Sequence, residues 1–170
     1  VTQPESQGRT AFVTRWHPHV MIDAHEMGGQ DTYLFSPPRE PFHAAVSEYH
    51  HRWWDVFAAD QAAAFDRRRW DYYVGDWHEE WFPGFASSWS AGIGAIGILY
   101  EQASARGSRV ARRDGTLMTY RDTVEHQYVS YWANLETAAH KRLELLGAYR
   151  EEIESNTQRN ECPSGCRMPK

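Results

Sequence analysis

The sequence predicts an α/β domain, and three features carry that prediction. Two short apolar runs bounded by turn formers, Val20-Met21-Ile22 and Ala95-Ile96-Gly97-Ile98-Leu99-Tyr100, have the length and composition of buried strands. Each is followed at once by ionisable residues: Asp23, His25 and Glu26 after the first, Glu101 after the second. Two longer segments, at about 44–69 and 120–153, repeat apolar residues at three and four, the period of a helix face.

A chain of 170 residues can hold one domain with a sizeable core. A hydrophobic fraction of 41% and eight tryptophans place it among folded proteins. The net charge of -5 gives no electrostatic basis for binding nucleic acid or an anionic membrane. No apolar run approaches the roughly 20 residues needed to span a bilayer. The opening Val1-Thr2-Gln3-Pro4, without methionine, reads as the middle of a longer polypeptide.

In chain order, residues 1–15 are polar and read as an extended lead-in or a short helix, and Trp16-His17-Pro18-His19 introduces the first strand. The chain turns between Pro37 and Pro41 and enters the first long helix, where Val46, Tyr49, Trp53, Val56 and Phe57 form one apolar face. Glu48 and His51 on that helix have the spacing of a di-iron half-motif. No second copy accompanies them, so a solvated face is the simpler reading.

Residues 70–85 combine aromatic side chains with Gly, Pro and acids, which predicts an ordered loop that either walls a pocket or packs on the core. Residues 104–117, with four arginines between Gly107 and Gly115 and just before them, read as a hairpin or exposed loop. The closing helix, about 120–153, carries Val124, Tyr128, Tyr131, Leu135, Ala138, Leu145, Tyr149 and Ile153 at helical spacing. Beyond Glu154 the tail is polar and reads as disordered. Its Cys162 and Cys166 are a local disulfide or two free thiols, since a zinc knuckle needs more ligands.

The chemistry-bearing residues sit at the ends of the two apolar runs. His25 has Asp23 two residues back on the same strand face, which suits a metal ligand with an orienting carboxylate or a histidine capping a turn. Glu101 is either a solvated acid closing its strand or a partner for His25 around one cleft, because functional groups in open α/β sheets gather where strands end. His17 and His19 lie at the opposite end of the first strand, about 3.3 Å further away with each residue.

Asp23-Ala24-His25-Glu26-Met27-Gly28 followed by Tyr33-Leu34-Phe35-Ser36-Pro37-Pro38 resembles the third-ligand segment of the zinc carboxypeptidase family, in a bacterial branch with an Asp-x-His-Glu-Met-Gly version. Phe82-Pro83-Gly84-Phe85, then Ser88-Trp89 and Gly92 to Gln102, is similar to that branch's approach to its catalytic glutamate. The resemblance implies a mixed-sheet α/β/α domain with a long C-terminal helix, residues 1–155 forming the C-terminal half of the catalytic domain and 156–170 a tail. It implies that His25 ligates Zn2+, that Glu101 is the general base, and that the substrate is a peptide or related amide. A tyrosine over the substrate is expected as well; Phe82 to Phe85 supply none, which leaves Tyr72 or Tyr73 for that role. Glu26 stands where the animal enzymes commonly have serine.

The family's other two ligands come from a His-x-x-Glu motif and its carboxylate clamp from an Asn-Arg pair. None of the nine histidines here has Glu at the third following position, and Asn-Arg does not occur. Three readings follow. The chain is a hydrolase whose N-terminal half is missing or supplied by another polypeptide; or it is a non-catalytic module acting through self-association or partner binding; or a metal site is built from His17, His19, His25 or His50.

Overall fold

The computed structural model of the chain describes residues 3–44 and 46–158, and its architecture is α/β with a mixed sheet. Helix α1 (Pro4–Trp16) begins with proline in its first turn, where a missing N–H costs nothing. It ends at His17, in the left-handed region at φ 44°. The short-helix reading of the lead-in is therefore the one observed.

Strand β1 (Val20–Met27) pairs in parallel with β3 (Ile96–Ala103), and β2 (Tyr33–Leu34) pairs antiparallel on the other side of β3, giving the order β1-β3-β2. Both long strands run further than the apolar runs that announced them. The ladder continues from Val20 opposite Ile96 to Met27 opposite Ala103, so His25 and Glu101 lie within strands and not in the loops beyond. Main-chain pairing sets a strand's length; side-chain polarity only colours its faces.

One face of the sheet holds the main core. Ile96, Ile98 and Tyr100 are buried there against Trp53, Trp54, Phe57 and Phe65 of α2 (Glu48–Asp66), with Val20 and Ile22 packed alongside. Helix α2 is shorter at both ends than the 44–69 expected. It starts where Ser47 and His50 close a reciprocal capping arrangement. The Trp54 indole donates to the Gly97 carbonyl at 2.7 Å, tying helix to strand inside the core.

The opposite face receives α3 (Ala86–Ala91), a helix not anticipated in the aromatic loop. It can lie on the sheet because β3 has glycine beneath it: a Cβ on Gly97 would come within 2.2 Å of the Ser87 carbonyl oxygen. Residues 70–85, which precede α3, are irregular, as expected. They are held by Tyr73 N–H to the Tyr33 carbonyl (2.9 Å) and by two bridges, Leu34 with Tyr73 and Arg39 with Glu79.

The arginine-rich segment is a hairpin of β4 (Arg109–Ala111) and β5 (Leu117–Thr119). Thr119 and Asp122 then form a capping box that opens α4 (Tyr120–His140). The single closing helix expected over 120–153 is two helices. The chain leaves helical geometry at Lys141 (φ -98°, ψ 16°) and resumes as α5 (Arg142–Gln158), which buries Leu145 in the core. Residues 155–158, assigned above to the disordered tail, belong to α5; Cys162 and Cys166 lie outside the described residues.

Helix α4 also turns a different face inward from the one its apolar spacing indicated. Thr123, Val129, Ser130, Ala133, Asn134 and Thr137 are buried, while Val124, Tyr128, Tyr131 and Leu135 are exposed. The reason lies across the core. Two phenols point at this helix and need small or polar neighbours: Tyr100 donates to Asn134 Oδ1 and reaches the Ser130 carbonyl at 3.4 Å, and Tyr33 donates to Gln127 Oε1 at 3.0 Å.

Candidate functional site

The β1–β3 register brings His25 directly beside Glu101. Alternation along the strands puts Ile22 and Ile98 toward the core and sends Met21, Asp23, His25 and Met27, with Gly97, Leu99 and Glu101, to the face that α3 partly covers. The first turn of α3 shields the start of this surface. Beyond it the Asp23–His25–Glu101 group lies at the open end, with the His25 side chain half exposed.

Asp23 Oδ2 lies 3.1 Å from His25 Nε2. With Nε2 engaged by the carboxylate, Nδ1 keeps its lone pair for a metal or a proton. Glu101 is partly buried, and burial pushes its carboxyl above the usual carboxylate range; His25 and His78 draw it back down, and Asp23 adds to the rise. Two imidazoles and a second carboxylate thus act on one acid.

His78 was not singled out from the sequence, and neither was Glu80, which is 1% exposed. His78 Nε2 lies 2.9 Å from Glu80 Oε1, and Ser88 Oγ of α3 donates to Glu80 Oε2. The His43 N–H bonds the Glu80 carbonyl at 2.8 Å, pinning the loop at the same residue. This buried carboxylate between an imidazole and a hydroxyl fixes His78, which acts on Glu101 electrostatically. Its only sequence signal was a His-Glu-Glu triplet inside an aromatic loop, and no local spacing connects that triplet to residues 23–25 or 101.

Of the two tyrosines considered, the structure brings Tyr73 to this face and takes Tyr72 away from it. Tyr73 is bridged to Leu34, the residue opposite Glu101. Its hydroxyl donates to Met27 Sδ at 3.3 Å and accepts from the Trp77 indole at 3.1 Å. Tyr72 points the other way, as successive residues of extended chain do, and stacks on Phe35 with ring centroids 5.0 Å apart.

The remaining histidines weighed for a metal site are dispersed. The His19 ring packs edge-on against Tyr149 at the far end of β1 (4.4 Å between centroids), and His50 is buried in the first turn of α2, bonded to Ser47. Burial lowers the His50 pKa, with Glu152 opposing that shift. Among the described residues no group of three or more His, Cys, Asp or Glu side chains is placed to hold a metal ion. His25 with Asp23 behind it fits one position of a zinc donor set, and Glu101 fits the place of a proton acceptor beside it; the other donors of a three-ligand site are not among the described residues.

No protein-family model, no curated protein and no solved structure matches this chain.

Proposed function

We propose that this chain carries one half of the active site of a zinc-dependent hydrolase of peptide or amide bonds, similar to the zinc carboxypeptidases. The observation that carries the reading is the placement of His25 and Glu101 on adjacent parallel strands, in register, on one open face. That is the relation the motif resemblance requires of a ligand and a base, and the two motifs are about 75 residues apart along the chain.

In this reading His25 presents Nδ1 to the metal while Asp23 holds the ring through Nε2. Zinc, when held there, would polarise the scissile carbonyl. Glu101 takes the proton of the attacking water and returns it to the leaving amine. Its partial burial serves that task, because a carboxyl raised toward neutrality is a stronger base. Tyr73 offers a hydroxyl at the rim for the substrate. The remaining zinc ligands and the clamp for a terminal carboxylate come from polypeptide outside this chain.

The test is zinc uptake by equilibrium dialysis with elemental analysis, together with release of C-terminal residues from peptides, for the native chain and two variants, each in the presence of a polypeptide that supplies the His-x-x-Glu ligands and the Asn-Arg clamp. His25→Ala should lower zinc affinity at least tenfold. Glu101→Gln should keep the zinc and abolish any turnover. Zinc uptake indifferent to His25→Ala, or turnover that survives Glu101→Gln, would end this reading.

A further inference from the structure

Two surfaces stand without a partner among the described residues, and they adjoin. Strand β1 is the outer strand of its sheet. The His19 carbonyl accepts from Ile96 N–H (2.9 Å) and the Met27 carbonyl from Ser104 N–H (3.2 Å), so the odd-numbered residues of β1 bond toward β3. Alternation therefore turns the N–H and C=O of Val20, Ile22, Ala24 and Glu26 outward. Ala24, in mid-strand, is exposed.

On the core side of the same edge runs the exposed stripe of α4. Val124, Tyr128, Tyr131 and Leu135 are 51%, 61%, 38% and 62% exposed and recur at four, three and four residues. The stripe lies on the β1 side of the helix: Gln127 Nε2 donates to the His25 carbonyl (3.4 Å), and Tyr131 meets Tyr100 ring to ring at 5.5 Å. A bare strand edge with an apolar helix face alongside it invites association.

We propose that a second copy of this chain covers both surfaces, β1 pairing antiparallel with its twin about a twofold axis at Ala24. The outward backbone groups restrict the choice of axis, since they meet only if even residues face even residues, which requires the axis to pass through a residue. An axis at Asp23 would set that carboxylate against the partner's Asp23, and an axis at His25 would oppose two imidazoles. An axis at Ala24 sets Asp23 opposite the partner's His25 and, by symmetry, His25 opposite the partner's Asp23, with Met21 facing the partner's Met27. These are the close, non-hydrogen-bonded pairs of the ladder, where a carboxylate and an imidazole can hydrogen-bond and two carboxylates repel.

The same axis leaves both α4 helices on one side of the joined sheet, so their stripes meet. The four residues of the stripe and the β1 edge are the surface each copy would contribute toward the ~800 Å² per partner of a standard interface. The interface is isologous and closed, and leaves no free β1 edge. It does not depend on the hydrolase reading.

The experiment is sedimentation equilibrium of the chain at tens of micromolar, with four variants. The native chain should sediment at about twice its 19.7 kDa. Ala24→Pro removes an outward N–H that β3 does not use, and Leu135→Glu charges the exposed stripe; both should yield monomers with unchanged far-ultraviolet circular dichroism. Asp23→Lys should also give monomer, and Asp23→Lys combined with His25→Glu should restore the dimer by reversing the pair. A monomeric native chain overturns the proposal, as it would if the edge serves a strand from a different polypeptide. A dimer that survives both Ala24→Pro and Leu135→Glu overturns it too. If Ala24→Pro fails to fold, the exposed Leu135→Glu and the charge reversal still decide.

Discussion

Asp23 Oδ2 lies 3.1 Å from Nε2 of His25, two residues before the strand position that faces Glu101, so imidazole and carboxyl are set by one strand pair. A histidine ligand fixed from behind by a carboxylate loses roughly tenfold to hundredfold in metal affinity when that partner is removed. On the proposed reading, and with the missing ligands supplied, Asp23→Ala should weaken zinc binding by that factor, measured by competition with a chromophoric chelator. An unchanged affinity would leave Asp23 with no part in orienting His25.

The Glu101 carboxyl is raised by burial, which gives stability a definite sign with pH. The folded state holds this proton more tightly than the unfolded chain, so the group's contribution is fully present below the unfolded carboxylate pKa. It is lost as pH rises through the folded value. Glu101→Gln, which mimics the protonated acid, should raise the melting temperature at neutral pH, with the gain fading below about pH 4. A gain of equal size at both pH values would mean that ionisation is not its source.

Gly97 is where the site face meets α3, and a methyl group there would run into backbone, not into a flexible side chain. Gly97→Ala should destabilise the fold by about 2–3 kcal/mol in chemical denaturation. Because α3 carries Ser88, which donates to Glu80, the same change should loosen His78 as well. A neutral substitution would show that α3 can lift away freely.

Tyr100→Phe should cost about 1–3 kcal/mol, since it strands the buried amide of Asn134 without its phenol partner. Replacing both residues, Tyr100→Phe with Asn134→Leu, should recover part of that loss, because no polar group is then left unpaired. A double variant that loses the sum of the two single effects would refute the coupling. Urea denaturation of the two single variants and the pair measures it.

Much of the site was legible in the chain because it rests on local pattern. Two apolar runs, each running into acids or histidine, pointed to two strands carrying His25 and Glu101, and the pairing of those strands puts the residues side by side. Helical periodicity located α2 and α4, and the glycines around the arginines located the β4–β5 hairpin. The strand ends were misjudged: polarity changes at Asp23 and Glu101, yet the ladder continues to Met27 and Ala103.

The amino-acid sequence by itself determined the two long strands, the two long helical stretches and which two residues head the candidate chemistry, because period and composition are properties of near neighbours. Only the tertiary structure decided that Tyr73 and not Tyr72 joins the site, that Glu80 anchors His78, and that α4 turns its small, polar face inward. Two of those outcomes depend on a partner far along the chain, Met27 for Tyr73 and the phenols of Tyr33 and Tyr100 for α4, and Glu80 depends on Ser88 of the helix that folds back after it. A local pattern states that a face exists, and the groups that arrive opposite it settle which way it points.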